Sequence, residues 1–262
     1  MAPSCISPVI CYNLDTSHKP LTEIYKAVDK HPKVKKSFIG SGIRYDMLVP
    51  EFNKKADVKE LEEYTEEVLT KHVSGRLKVA PEHTSDNVLK LMRKPSFKYF
   101  HKFKERFDKM NIRKKLNLQL IPYFISSHPA CELEDMANLA AETKDLGFQL
   151  EQVQGFTPTP MTVATVIYYS GYHPYTLKPM RSPKSKNERD EQHRFFFWYK
   201  RENQQWIRNT LNKVGRSDLL QKLLPSTNSW KKNKGTKTKD TFDETVTFTS
   251  RRKKKFNKRK KR

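Results

Sequence analysis

The sequence has few cysteines and no long apolar run. Its 262 residues include only Cys5, Cys11 and Cys131, without a recognisable signal peptide. This pattern predicts a reducing, cytoplasmic location and free thiols rather than a disulfide framework. Five residues separate Cys5 from Cys11, whereas zinc motifs usually leave only about two to four, so buried or loop thiols are favoured over a structural zinc site. No apolar run could span a bilayer, and no membrane contact is expected.

Acidic residues are scarce relative to basic ones. With 52 Lys and Arg against 29 Asp and Glu, the formal net charge is +23. Residues 231–262 hold 15 of the basic residues and 3 of the acids, which gives +12, and the rest of the chain carries +11. Residues 226–262 contain little apolar sequence and are predicted to form a disordered polybasic tail. Such a tail could bind nucleic acid non-specifically through phosphates, although a solvated basic surface explains the charge equally well.

The clearest folding unit runs from residue 118 to residue 160. An apolar run at 118–125 predicts a strand. Apolar residues three and four apart then predict a helix that begins near Leu133 and that Gly147 ends. A second apolar run at 148–153 predicts another strand. Strand, crossover helix and strand together indicate a parallel β-α-β unit.

The same alternation of strands and helices extends upstream. Strands are predicted to begin near Ser37, Leu77, Leu118 and Leu150. Helices are predicted at 21–30, 57–73, 86–93 and 97–110. The first strand covers residues 34–40 and is expected to have an open edge. This order predicts a parallel α/β array rather than an antiparallel sheet.

After residue 160 the pattern changes. Residues 162–170 are rich in β-forming residues, and residues 187–214 are predicted to be helical. The aromatic run at 195–199 occupies the whole circumference of its helix, so this helix should be buried or packed against the first domain. The chain is therefore divided into an α/β domain at 1–160 and an aromatic-rich extension at 161–225, followed by the tail.

Loops at the carboxyl ends of parallel strands usually carry the chemistry of such folds. Candidate segments here are Arg44, Glu82 with His83, residues 126–128 and residues 155–160. Arg44 could hold a carboxylate or phosphate, or it could simply pair with Asp46. Glu82 and His83 are candidate ligand or proton-transfer groups, although a lone histidine is more often structural.

Four segments of the chain resemble the later half of a radical S-adenosylmethionine (SAM) domain of the YgiQ type. They read SFIGSGIRYD, GRLKVAPEHTSDNVLKLMRKP, LIPYFISSHPACELEDM and LEQVQGFTPTPMTVATVIYYSG, in this order. The aromatic segment after Ser170 resembles the carboxyl-terminal extension of the same family. The resemblance implies an incomplete parallel (β/α) TIM-like barrel with an α-rich extension. It also implies reductive cleavage of SAM by a [4Fe-4S] cluster, which starts radical chemistry on an unknown substrate.

By their position in this resemblance, the SAM-binding residues are Arg44, Glu82, Gln154, Phe156 and Thr157. Arg44 would pair with a carboxylate, Glu82 would accept hydrogen bonds from ribose hydroxyls, and Phe156 would pack against a base. The resemblance identifies no catalytic residue.

The resemblance does not extend to the loop that binds the cluster. Family members hold it with three thiolates of a CxxxCxxC loop, and this sequence has no such loop. The chain alone is therefore expected to bind no cluster and no other metal, and an amino-terminal segment that carries the loop is an expected partner. The chain could be a fragment of a radical SAM enzyme or a cluster-free descendant. A basic RNA-binding protein without enzymatic activity is the alternative from another class.

Overall fold

Three parallel strands lie at the centre of the fold. The computed structural model describes residues 4–151 and 153–225. The strands β1 (Arg76–Glu82), β2 (Gln119–Ser126) and β3 (Val153–Gly155) lie side by side in this order. Leu77 of β1 pairs with Leu120 of β2, and all pairings along the sheet are parallel. The described residues thus form a mixed α/β fold around a small open sheet.

Helices precede, connect and follow these strands. Those before β3 are α1 (Lys19–Asp29), α2 (Val58–Glu67), α3 (Asp86–Leu91), α4 (Lys98–Arg113) and α5 (Leu133–Asp145). Those after β3 are α6 (Val163–Ser170), α7 (Lys186–Phe196), α8 (Arg201–Lys213) and α9 (Ser217–Leu223). A 3-10 helix covers Tyr45–Leu48, and a π-helical turn, Val68–His72, continues α2. The longest described helix, α4, has 16 residues, and no described helix is both long and apolar enough for a bilayer span.

The helices predicted before residue 150 are confirmed, and so are β1 and β2. Side chains cap the starts of two of these helices: the Asp57 side chain accepts from the amides of Lys59 and Glu60 at the start of α2. Glu132 and Asp135 form a reciprocal capping box at the start of α5. These local signals are readable because both partners lie within one turn of each other.

One core joins the elements before and after residue 160. Phe100, Phe103 and Phe107 of α4, predicted to share one stripe, are all buried in it. Phe195 and Phe196 of α7 belong to the same core, which confirms that the aromatic helix packs against the α/β part. The boundary between the two predicted domains at residue 160 stays a prediction.

The prediction of a strand at 34–40 was wrong. In its place Ile43 alone makes a parallel bridge to Val79, so β1 has no complete strand on that side among the described residues. The segment instead packs along the π-helical turn, where the Ile39 amide donates to the His72 carbonyl at 2.9 Å. Lys33, Lys35 and Lys36 interrupt its apolar residues and keep it from a buried strand position.

The strand predicted at 148–153 is displaced toward the carboxyl end. Its first residues close α5 instead, because the Phe148 amide donates to the Thr143 carbonyl at 2.8 Å and the Gly147 amide donates to Lys144 at 2.9 Å. Gly147 has a φ of +77°, so the pair of bonds is a Schellman cap. The strand pairing begins only at Val153.

Residues 162–170 form a helix, so the β-rich prediction for them was wrong. The Thr162 hydroxyl accepts from the Thr165 amide at 3.2 Å and starts α6, and Gly171, with a φ of +76°, ends it. Ile167 is fully buried. Caps and burial outweigh the β propensity of this run, which is a weak preference. The long helix predicted at 187–214 is two helices, α7 and α8, and α9 follows without having been predicted.

Candidate functional site at the carboxyl edge of the sheet

The carboxyl ends of the three strands meet around one cavity of about 610 Å³. Glu82 contributes from the end of β1, His128 from the loop after β2, and Phe156 from the loop after β3. The remaining lining comes from residues 91–94 and from Ile125, Gln154, Gly155, Thr157, Thr159 and Met161–Ala164. This volume lies within the roughly 300–1,000 Å³ typical of small-molecule sites. The fold and the site define a parallel α/β protein with a ligand-sized cavity at its carboxyl edge.

Glu82 has an unusual backbone conformation at the edge of the cavity. The ladder between β1 and β2 shifts register between Val79 and Glu82, and Glu82 has a φ of +69°. A non-glycine residue in this region is strained and is often found at functional sites. Lys94 holds the carboxylate at 3.2 Å. The sequence did not single out Lys94, which brings a positive charge into the same cavity.

Phe156 presents an aromatic surface on the opposite strand end. Its amide donates to the Ser126 carbonyl at 2.8 Å, which extends the pairing of β2 with β3 by one bond. Its ring centroid lies 5.0 Å from that of His128 and 5.7 Å from that of Tyr168. Gln154 and Thr157 flank it as exposed polar residues. A flat, partly buried ring with polar neighbours can pack against a planar base.

Arg44 lies outside this cavity, unlike the other four predicted site residues. Its guanidinium makes a two-bond pair with the buried Asp46 carboxylate, with Nε 3.1 Å from Oδ1. The structure therefore shows the ion pair that the sequence left open as the alternative. The Asp46 side chain is 3% exposed, so this pair supplies a partner for a buried carboxylate at the start of the 3-10 helix.

His83 and Cys131 form a buried pair behind the cavity. The Ser85 amide donates to His83 Nδ1 at 3.0 Å, so the neutral ring carries its hydrogen on Nε2. That nitrogen lies 3.4 Å from Cys131 Sγ. Burial lowers the pKa of His83 to about 4 and raises the pKa of the Cys131 thiol. Both groups are uncharged at neutral pH, which fits the structural alternative for His83.

The loop between β2 and α5 is held by residues from beyond residue 160. Gln192 of α7 is buried; its Oε1 accepts from the Ser127 amide and its Nε2 donates to the Cys131 carbonyl, both at 2.7 Å. The Ala130 amide donates to the Arg181 carbonyl at 2.9 Å. Sequence reasoning missed Gln192, because its partners lie more than 60 positions away in the chain.

The three cysteines do not fit a [4Fe-4S] cluster. Cys131 is buried against His83, and its raised pKa opposes the thiolate that a cluster requires. Cys5 is exposed, and Cys11 is joined to it only by a backbone bond of 2.7 Å. Thus no described set of three thiols can hold the cluster.

The chain is similar over most of its length to proteins named UPF0313 protein. It is 56% identical over 234 residues to one from Porphyromonas gingivalis, an alignment that covers 89% of this chain and 37% of the relative. It is 59% identical over 221 residues to one from Bacteroides thetaiotaomicron, with 84% and 36% covered. For one from Methanocella arvoryzae the identity is 42% over 217 residues, with 82% and 34% covered. The chain thus spans about a third of the length of these curated relatives.

A second comparison concerns the later part of the chain. Residues 151–262 match a family described as a domain of unknown function, DUF3362. The match begins at β3, includes α6 to α9, and continues through the basic tail. The matched range thus includes both the extension and the tail.

Proposed function

We propose that this chain is the later part of a YgiQ-type radical SAM protein and that its cavity holds S-adenosylmethionine. The observation that carries the proposal is the convergence of Glu82, Gln154, Phe156 and Thr157 around one cavity. These residues were chosen from the sequence, by their place at predicted strand ends and by the resemblance, and they come from two strand ends far apart in the chain. The similarity to UPF0313 proteins over 82 to 89% of the chain supports the same family.

Each residue has a defined part in this proposal. Glu82 would accept hydrogen bonds from the ribose hydroxyls, and Phe156 would pack against the adenine. Gln154 and Thr157 would offer polar groups at the base edge. Lys94, rather than Arg44, would take the methionine carboxylate, because Lys94 lines the cavity whereas Arg44 lies outside it.

The cluster would have to come from a segment outside this chain. Such a cluster, once reduced, would supply the electron for the reductive cleavage of bound SAM that starts radical chemistry. One face of the chain could receive that segment: Leu21, Ile24 and Val28 of α1 and Phe38 are 39 to 55% exposed. Large apolar side chains clustered at a surface favour burial by a partner. Among the described residues, Ile43 alone pairs with the outer edge of β1, so most of that edge is open to another strand.

The proposal predicts that Glu82→Gln weakens SAM binding. The substitution keeps the shape of the side chain but replaces a carboxylate that accepts from ribose hydroxyls. Each lost hydrogen bond costs about 0.5 to 1.5 kcal/mol, or roughly two- to tenfold in affinity. Calorimetric titration with SAM is done on the chain co-purified with a YgiQ-type segment that carries the CxxxCxxC loop.

Glu151→Gln is the matched control, because Glu151 also pairs with a cation, Arg76, at 3.4 Å but lies away from the cavity. Its SAM affinity should equal that of the wild type. Thermal melting of all three proteins should agree within a few degrees. If Glu82→Gln bound SAM as tightly as the wild type, or lost thermal stability in step with affinity, the ligand role of Glu82 would be dropped.

Binding of RNA through the basic tail is a separate hypothesis that rests on charge. Residues 226–262 lie outside the described residues, so it stays a prediction. A run of basic residues such as this is typical of non-specific, salt-dependent phosphate binding.

A further inference from the structure

Three side chains outside the cavity bring one nitrogen and two carboxylate oxygens together. Asp29 ends α1, Glu67 ends α2, and His72 ends the π-helical turn. Their ligand atoms all lie within 4.8 Å of one another. His72 Nε2 lies 3.7 Å from an oxygen of each acid.

The π-helical turn places Glu67 and His72 on the same side. In a regular α-helix, residues five positions apart lie about 140° apart around the axis. A π-helical turn bonds residue i to residue i+5, and such turns are frequent at functional sites. The turn Val68–His72 lies between the two residues, so the unusual backbone accounts for their approach.

Ser37 fixes the tautomer of His72. The Ser37 hydroxyl donates to Asp29 Oδ1 at 2.5 Å, and both Ser37 oxygens lie 3.0 Å from His72 Nδ1. A carbonyl can only accept, so the hydrogen between these groups lies on Nδ1. The lone pair of the neutral ring is then on Nε2, which faces the two acids. An Nδ1–H bonded to a backbone carbonyl is the usual outer partner of a metal-binding histidine.

His72 Nε2 lacks a partner of its own. His72 is 1% exposed, and Nε2 has no hydrogen-bond partner in the described part of the chain. A separation of 3.7 Å is too long for a hydrogen bond to either carboxylate. It is close to the roughly 3.4 Å that separates two ligands bound at about 2.05 Å around tetrahedral zinc. A lone pair and two carboxylates facing one another therefore leave a place for a cation.

We propose that Asp29, Glu67 and His72 bind a divalent cation of the zinc class. One imidazole and two carboxylates suit this borderline metal, and three protein ligands leave a fourth position for water or another ligand. The Asp29 side chain is 31% exposed, which provides an entry path. Lys71 Nζ lies 3.0 Å from Glu67 Oε1 and would move away from that oxygen when the metal binds.

The experiment titrates the chelator-stripped full chain with ZnCl₂ against a chromophoric zinc indicator. We expect one zinc per chain at this site. Glu67→Gln and Asp29→Asn each remove one ligand at a partly exposed position, so the fold should persist. Each should weaken binding by more than the roughly 10- to 100-fold that loss of an outer-shell partner costs. Ser37→Ala should fall within that smaller range.

Glu62→Gln is the matched control, because it removes an exposed acid from the same helix without touching the site. Its zinc affinity should equal that of the wild type. A second readout is the nitrogen NMR spectrum of the histidines, in which only Nε2 of His72 should shift on zinc addition. Zinc affinity unchanged in Glu67→Gln, or binding abolished by thiol alkylation, would overturn the proposal. So would zinc binding that leaves the nitrogen signals of His72 unshifted.

Discussion

At the scale of single residues, burial decides the charge of His83. The ring is fully buried, and its two nitrogens are occupied by the Ser85 amide and the Cys131 thiol. The pKa of about 4 means that the folded protein keeps the ring neutral well below the pH at which a free histidine ionises. The unfolded chain has no such restraint.

This difference predicts an acid-sensitive stability. Because the folded pKa is lowered from 6.5 to about 4, the unfolded chain binds a proton that the folded chain does not. His83 therefore contributes stability above pH about 6.5, and this contribution is lost as the pH falls toward 4. In urea unfolding from pH 7.5 to 4, His83→Gln should make the decline of the unfolding free energy shallower by on the order of 3 kcal/mol.

His31→Gln supplies the comparison, since His31 is an exposed histidine. Its stability curve should run parallel to that of the wild type. Burial also lowers the pKa of His128, and its charge helps to lower that of His83, so His128→Gln, measured beside His83→Gln, separates the two contributions. If His83→Gln declined as steeply as the wild type, His83 would not be the group that titrates.

The predictability of the site also varies residue by residue. Glu82 and Phe156 were predictable because strand ends follow directly from local sequence patterns. Lys94 was not, because its contact with Glu82 depends on how α3 returns to the end of β1. Gln192 lies 65 positions from its partner Ser127, and no local pattern specifies such a pairing. Their ligand roles stay predictions.

At the scale of elements, helices that combine caps with an amphipathic stripe were predictable, whereas edge strands and the β-branched, uncharged helix α6 were not. A capped amphipathic helix such as α5 contains its start, its apolar stripe and its glycine stop within 16 residues of sequence. A strand at the edge of a sheet is defined by a neighbour elsewhere in the chain. The segment 34–40 has apolar residues but packs against His72 instead, and the run at 148–153 is partly used to cap α5.

The contribution of helix α7 to the stability of the fold can be tested at Gln192. The buried side chain of Gln192 on α7 bonds two backbone groups of the loop after β2. It accepts from the Ser127 amide and donates to the Cys131 carbonyl. Gln192→Ala would leave that amide and that carbonyl buried without partners, at about 1 to 3 kcal/mol each. We expect a loss of about 2 to 5 kcal/mol of unfolding free energy, measured by urea denaturation.

Gln205→Ala on α8 is the control, because the Gln205 side chain is exposed and bonds only Asn209 one turn away. It should change stability by less than about 0.5 kcal/mol. Equal effects of the two substitutions would mean that α7 does not support the loop, and that the extension is an addition rather than part of the fold.

At the scale of the whole molecule, the chain combines a folded part with a strongly basic end. Residues 231–262 contain 15 basic residues and 3 acids, and they lie within the stretch that matches the domain of unknown function. The prediction that residues 226–262 are disordered falls outside the described residues. The barrel, of which the described sheet would be the later strands, belongs to the proposed function rather than to the observed fold.

The central claim is that this chain forms the SAM-binding part of a protein whose cluster loop lies elsewhere. Anaerobic reconstitution with iron and sulfide tests it most directly. One sample is the chain alone, a second is the chain co-expressed with a YgiQ-type segment that carries the CxxxCxxC loop, and a third uses that segment with its three cysteines changed to alanine. Iron content, the visible absorption of the cluster and SAM cleavage after reduction are measured on each.

We predict no cluster on the chain alone, because Cys131 is buried against His83 with the pKa of its thiol raised, which leaves only Cys5 and Cys11 as available ligands. A cluster with SAM cleavage should form only in the second sample, and Glu82→Gln should weaken SAM binding there. A stoichiometric cluster on the isolated chain would contradict this account, as would a cluster-loaded complex in which SAM binds without regard to Glu82.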